Sequence, residues 1–198
     1  MNLINEDILI IKNSFYVAWK LLEDFFNDEE NLLAVEKAIA TMCFSIKEGR
    51  KVISCGNGGS MCDAIHFAEE LTGRFHKDRP ALPAIAISDP AHLSCTSNDY
   101  GYEHVFARWL EALASSGDVL LAISTSGNSK NVIRAVEVAK KKGLKTIGLL
   151  GKNGGELKGL VDIPIVIKSD LAERVQEMHI KIIHVMVEGI EREIFFRD

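Results

Sequence analysis

The stretch from Lys51 to Leu71, KVISCGNGGSMCDAIHFAEEL, constrains this chain more than any other. Lys51 to Cys55 is a short apolar run ending at glycine and predicts a buried strand. Gly56 to Ser60 carries three glycines and predicts a turn, and from Met61 the spacing predicts a helix with Asp63 in its first turn. A strand that passes through a glycine-rich turn into a helix gathers backbone N–H groups and the positive end of the helix dipole at one point. That combination suits an anion such as phosphate. Ser60 is placed to cap the helix. His66 and Glu70 follow four residues apart and share a helix face beside the turn, so an anion cradle and a polar pair should lie side by side.

The remainder of the chain supplies the sheet around this unit. Apolar runs VISC, AIAI, VLLAI, TIGLL and IPIVI predict strands at 51–55, 84–88, 118–123, 145–150 and 162–167. Between them the pattern predicts helices at 61–75, near 90–96, and at 102–115, 129–142 and 172–195. Strands that read as continuous apolar runs are expected where helices cover both faces of an open, mostly parallel sheet. Two helices precede this alternation. In the first, Ile4, Ile8, Ile11, Phe15, Leu22 and Phe25 recur at helical spacing with Trp19 beside them; the second runs from about Glu29 to Lys47 before Gly49. The pair is expected to cover part of the sheet and to pack against another subunit. With 198 residues and no linker or low-complexity stretch, residues 1–198 are expected to form one domain, the helices at about 4–47 packing on an α/β core.

Composition removes several function classes. A net charge of −5 without a basic stripe argues against nucleic acid, and the run Lys140–Lys142 ends a predicted helix, where cations favour the dipole. Cys43, Cys55, Cys62 and Cys95 are irregularly spaced and form no CxxC pair, so neither a disulfide framework nor a thiolate zinc site is indicated; most are read as small buried hydrophobes. The opening MNLINEDILIIKNSF lacks the pattern of a secretory leader and no run is as long as a membrane span, so a cytoplasmic protein without a membrane partner is expected.

A second strand-to-helix turn, ISTSGNS at Ile123 to Ser129, offers the hydroxyls of Ser124, Thr125, Ser126 and Ser129 around Gly127. Hydroxyls and backbone N–H groups can hold phosphate oxygens without a cation, although such turns also merely cap helices. Ligands of open α/β sheets lie beyond the carboxyl ends of the strands, where both turns must sit. CGNGGS lacks the GxGxxG spacing and no GxxxxGK[ST] occurs, so a small phosphorylated metabolite fits better than NAD or ATP. Asn98 and Asp99, in TSNDYG, read either as a turn or as short side chains suited to sugar hydroxyls on the same edge. In the last helix, ERVQEMHIKIIH embeds Gln176, His179 and His184 among apolar residues, where a single histidine is more often structural than a ligand. Gln176 and His184 lie ~12 Å apart along a helix axis, which suggests a site shared between subunits.

The strings CGNGGS with DAIHFAEELTGRF, LPAIAISD, SNDYG, GDVLLAISTSGNSKNVI and RVQEMHIKIIH together resemble the sugar isomerase (SIS) domain family over nearly the whole chain after the first helix. The resemblance implies an α/β, three-layer sandwich with a central five-stranded parallel sheet, flavodoxin-like and preceded by the helical pair. It also implies a homotetramer interconverting sedoheptulose 7-phosphate and D-glycero-D-manno-heptose 7-phosphate, the first step toward the heptose of bacterial lipopolysaccharide. By position, Asn57, Gly58, Gly59, Ser60, His66, Glu70, Asn98, Asp99, Ser124, Thr125, Ser126, Ser129 and Gln176 would bind substrate. Glu70 and His184 would be the acid/base pair, and His66, Glu70, Gln176 and His184 would hold one Zn2+ per subunit. Aldose–ketose interconversion proceeds by proton removal beside a carbonyl through an enediol, which suits a carboxylate and an imidazole. Metal ligation and base catalysis compete for the lone pairs of Glu70, an alternative that the sequence leaves open. A non-catalytic module of the same fold, binding a sugar phosphate or associated with a replication initiator, would keep both turns but would not need Glu70 and His184.

Overall fold

The computed structural model describes residues 3–196, with side chains from residue 6 onward, so Ile4 of the predicted first-helix stripe lies outside the described side chains. The elements run α1 (Leu3–Phe26), α2 (Glu29–Lys47), β1 (Val52–Gly56), α3 (Gly59–Thr72), β2 (Ala84–Ala86) and α4 (Pro90–Tyr100). After a 3-10 turn at Tyr102–His104 come α5 (Val105–Leu113), β3 (Val119–Ser124), α6 (Lys130–Lys141), β4 (Lys145–Gly151), α7 (Leu157–Leu160), β5 (Ile163–Ile167) and α8 (Ala172–Glu191), ending in a π turn at Arg192–Phe196. The five strands make one parallel sheet in the order β2-β1-β3-β4-β5.

Helices cover both faces, as parallel connections require. Along β3, Val119, Leu121 and Ile123 enter one core with Met42 of α2, Phe67 of α3 and Ile183 of α8. Leu120 and Ala122 point the other way, into a second core with Phe106 and Leu110 of α5 and Val136 of α6. Two cores explain why a strand of period two reads as an unbroken apolar run. The expected three-layer α/β sandwich is thus the fold. Uniform burial stops at the edges: Ile85 of β2 is 41% exposed, and β5 alternates buried with half-buried residues, because an edge strand lacks a neighbour on one side.

Three local expectations change. The helix after the first turn starts two residues early, at Gly59, with Gly58 as its N-cap at φ 54; Ser60 is buried inside the first turn and does not cap it. Helix α4 continues to Tyr100, so Asn98 and Asp99 close a helix instead of forming a turn. Asp89 caps its start by accepting from the His92 N–H at 2.7 Å, and Gly101 at φ 95 ends it. Of the four free cysteines only Cys43 and Cys55 are buried; Cys62 and Cys95 lie on exposed helix faces.

The helical pair also divides its duties. Helix α2 packs on α8 and β5, which places it over the sheet, whereas α1 joins that core through Phe25 and Leu21. Ile8, Ile11, Phe15 and Trp19 remain exposed, Phe15 by 74%. Of the pair expected to cover the sheet and to pack against another subunit, α2 takes the sheet face, and the α1 stripe faces outward in a single chain.

Candidate active site

Strand order sets the location. Successive connections leave β1 and β3 for opposite faces of the sheet, which opens a crevice at their carboxyl ends. Gly56 pairs with Ile123, so the turn at 57–60 and the turn at 124–129 emerge side by side. A reciprocal amide pair joins them: Asn57 Nδ2 donates to Asn131 Oδ1 at 2.9 Å and Asn131 Nδ2 donates to Asn57 Oδ1 at 2.8 Å. The Tyr102 hydroxyl adds a third bond to Asn57 Oδ1 at 2.9 Å. Asn57 thus braces the two turns with its side chain. Sequence reasoning missed Asn131 and Tyr102; the signal available was an amide two residues past Ser129, at the start of a helix.

Backbone close approach defines the first turn. A Cβ at Gly59 would lie 2.5 Å from Gln176 Nε2 and 2.6 Å from its Oε1, so the glycine makes room for the amide of Gln176 to lie against the helix start. The second turn folds on its own hydroxyls. Ser124 Oγ accepts from the Gly127 N–H at 3.2 Å and lies 3.1 Å from Ser129 Oγ, while Ser126 Oγ accepts from the Asn128 N–H at 3.1 Å. Gly127, at φ +66, packs its backbone directly on Gly154. Ser129 precedes α6 without capping it by its side chain. Both turns consequently aim a helix N-terminus at the crevice.

Helices α3 and α8 pack together and complete the site. His66 Nε2 lies 3.1 Å from His184 Nε2 and 3.2 Å from Glu70 Oε1, and one ligand atom from each of the three falls within 4.8 Å of the others. Two facing imidazole nitrogens can share at most one proton, and with the carboxylate they direct three lone-pair donors at one point. Ligands of a tetrahedral zinc ion at about 2.1 Å are about 3.4 Å from one another, and the two short separations here, 3.1 and 3.2 Å, suit such an ion. The Gln176 amide lies over Gly59 and lines the same open cavity of about 410 Å³ as His66, Asp63 and Cys62. Glu70 and His184 meet within one chain because α3 packs against α8.

Two further titratable groups are buried on the same two helices, Asp63 on α3 and His179 on α8. Asp63 is buried with Oδ2 unpartnered, and burial lifts its pKa to about 6 against the pull of His66. His179, on the buried face of α8, is fully enclosed, and burial lowers its pKa to about 4, so it is a neutral imidazole in the core. Asn98 and Asp99 are exposed and bonded to each other, with Asn98 Nδ2 donating to Asp99 Oδ1 at 2.9 Å. Tyr102, just beyond them, reaches Asn57, which puts the end of α4 near the crevice. A larger cavity of about 530 Å³, lined by Lys152, Lys158 and Lys168, includes none of the cluster residues.

A family model described as the SIS domain matches residues 17–151. A phosphoheptose isomerase of Tolumonas auensis is 54% identical over 186 residues, covering 93% of this chain and 97% of that protein. Among solved structures, a phosphoheptose isomerase from Francisella tularensis matches with a TM-score of 0.90 at 34% identity, covering 94% of this chain and 98% of that one. Phosphoheptose isomerase GmhA from Neisseria gonorrhoeae matches with a TM-score of 0.82 at 35% identity, covering 91% and 96%. The chain belongs to the SIS domain family. Within that family it belongs with the phosphoheptose isomerases and is an enzyme of the isomerase class.

Proposed function

We propose that the chain interconverts sedoheptulose 7-phosphate and D-glycero-D-manno-heptose 7-phosphate, at the entry to the heptose of lipopolysaccharide. The observation that carries the reading is the convergence of His66, Glu70 and His184 beside two adjoining strand-to-helix turns. The helix N-termini and the hydroxyls of Ser124, Thr125, Ser126 and Ser129 would grip the phosphoryl group. Gly58, Gly59, Ser60, Asn57 and Gln176 would border the sugar, with Asn98 and Asp99 approaching from α4.

In this reading Glu70 removes the carbon-bound proton and returns it to the neighbouring carbon, while His184 moves protons between the two oxygens. Oε1 of Glu70 lies 3.2 Å from His66 Nε2, and a carboxylate has a second oxygen that would take the proton, which would ease the competition between ligation and base catalysis. His66, Glu70 and His184 would hold Zn2+ together with Gln176, which lines the same cavity as His66. The ion would supply Lewis-acid polarisation of the carbonyl and enediolate oxygens.

The assembly we propose is a cytoplasmic homotetramer with its sites near subunit interfaces. Support comes from the exposed apolar face of α1 and from a groove lined by Phe15, Trp19, Leu22 and Glu177, the last of which also lines the site cavity. Among the described residues no helix is long and apolar enough to cross a membrane. Incubating the protein with sedoheptulose 7-phosphate and following the aldose phosphate by NMR tests the function. Turnover by wild type and its loss in Glu70→Gln are expected, and sugar binding without conversion by wild type would overturn the reading.

A further inference from the structure

Arg79 lies in the segment between α3 and β2, and its side chain is 1% exposed; Glu191, at the end of α8, is 3% exposed. Arg79 Nε donates to Glu191 Oε1 at 2.8 Å. Replacing a buried ion pair by apolar residues is often neutral or stabilising, so stability alone does not account for this one. What the guanidinium touches does. Its Nη2 donates to the backbone carbonyl of Glu70 at 2.8 Å, and Nη1 donates to the carbonyls of Leu71 at 2.7 Å, Gly73 at 3.1 Å and Pro80 at 3.2 Å.

Glu70 and Leu71 belong to the last turn of α3, whose carbonyls have no partner within the helix. A cation there also meets the negative end of the helix dipole. Arg79 therefore fastens the turn of α3 that carries the cluster carboxylate. Glu191 stands seven residues beyond His184, two turns along α8 and on the same side. Its second oxygen accepts from the His76 N–H at 3.4 Å, and Phe75, stacked on His76 with ring centroids 4.1 Å apart, lies 5.8 Å from the His184 ring. One guanidinium thus holds the backbone of Glu70 and the helix of His184 together. Lysine would carry the charge but not the fork that engages both helices.

We propose that Arg79 and Glu191 are positioning residues that set the separation of Glu70 and His184. The proposal rests on the reading of those two residues as the proton-transferring pair. Neither Arg79 nor Glu191 touches the reacting atoms, and both act through the backbones of α3 and α8.

The test compares wild type, Arg79→Lys and Glu191→Gln in three measurements: steady-state kinetics on sedoheptulose 7-phosphate, thermal unfolding, and Zn2+ affinity by competition with a chromophoric chelator, all well below the melting temperature of each variant. Displacement of the pair by about 1 Å should lower kcat about 10²-fold in Arg79→Lys, in the same direction in Glu191→Gln, with KM within about twofold of wild type. Zn2+ affinity should weaken by about tenfold or more, as when supporting contacts to metal ligands are lost. A lower melting temperature with kcat and Zn2+ affinity of wild type would show the pair to be purely structural and would overturn the proposal. If Arg79→Lys does not fold, Glu191→Gln decides, since its amide keeps the size and one acceptor oxygen. Absence of turnover in wild type would sink the isomerase reading instead, whereas a loss confined to the variants bears on the clamp.

Discussion

The Nε2 atoms of His66 and His184 stand 3.1 Å apart, although 118 residues separate them. The contact exists because α3 and α8 cover the same sheet face and meet along it. His66 and Glu70 are one helical turn apart and need only α3 to share a face, while His184 is delivered by the last helix of the chain. Metal affinity should accordingly depend on both helices. His66→Ala and His184→Ala are each expected to lose Zn2+ on dialysis while keeping the wild-type circular dichroism, and chelation of wild type should abolish turnover that added Zn2+ restores. Retention of the ion by His184→Ala, measured by elemental analysis, would show that the cluster is not its site.

Gly59 and Gly58 make different demands and should fail differently. Gly59 has an ordinary backbone but no room, since a Cβ would meet the mobile end of Gln176. Gly59→Ala should displace that amide, cost less than ~1 kcal/mol in stability, and reduce kcat/KM by about tenfold or more. Gly58 has open space around a would-be Cβ, but its φ of 54 lies in the left-handed region. Gly58→Ala should cost roughly 1 kcal/mol of folding free energy, read from urea unfolding, with a smaller effect on catalysis. The reverse pattern would mean that Gln176 does not contribute to the site.

The strands, both turns and the facing of His66 with Glu70 were legible in the sequence because each rests on local spacing. Glycines at 56, 58 and 59 require a turn whatever surrounds them, and the apolar runs follow from burial on two faces. The position of His184 against His66 came only through resemblance, since 118 residues of chain carry no local signal of which helices meet. Asn131, Arg79 and Glu191 were passed over for a related reason. An arginine in a polar loop segment such as FHKDRP reads as solvated until a tertiary partner 112 residues away proves to be buried with it. Which of the two N-terminal helices takes the sheet face was not legible, because amphipathic spacing reports that a face is apolar and not what covers it.

His179 gives a pH dependence with a definite sign. Burial holds the folded imidazole at a pKa of about 4, below its ordinary 6.5, with the backbone of Leu150 opposing only in part. The unfolded chain then binds more protons between those values, so stability rises with pH from about 4 to 6.5 and is lost as the solution is acidified through that range. The shift corresponds to about 3 kcal/mol between the two limits. Asp63, with its pKa lifted to about 6, contributes with the opposite sign over an overlapping range, so the informative quantity is a difference. In His179→Leu, unfolding free energies from urea titrations at pH 7, 6 and 5 should fall less on acidification than those of wild type. Parallel curves would show that His179 titrates normally.

The outward face of α1 leads to a prediction about assembly. Phe15 is 74% and Trp19 53% exposed in one chain, and the tilted Tyr16 ring, 5.6 Å from that of Trp19, leaves both exposed. Between α1 and α2 a groove of about 320 Å³, lined by Leu22, Phe25, Phe26, Leu32 and Val35, extends the apolar surface to Ile182 and Val185 of α8. A contiguous apolar patch of this kind marks an association surface, and its aromatic residues are of the type that anchors interfaces. Charge placed at the centre of such a patch would be desolvated without a partner. Trp19→Glu and Phe15→Glu should therefore shift the species seen by light scattering coupled to size-exclusion chromatography toward monomer, with a folded circular dichroism spectrum. Because Glu177 borders both the α1 groove and the site cavity, dissociation should also raise KM for the sugar phosphate. A tetramer that survives both substitutions would place the interface elsewhere on the molecule.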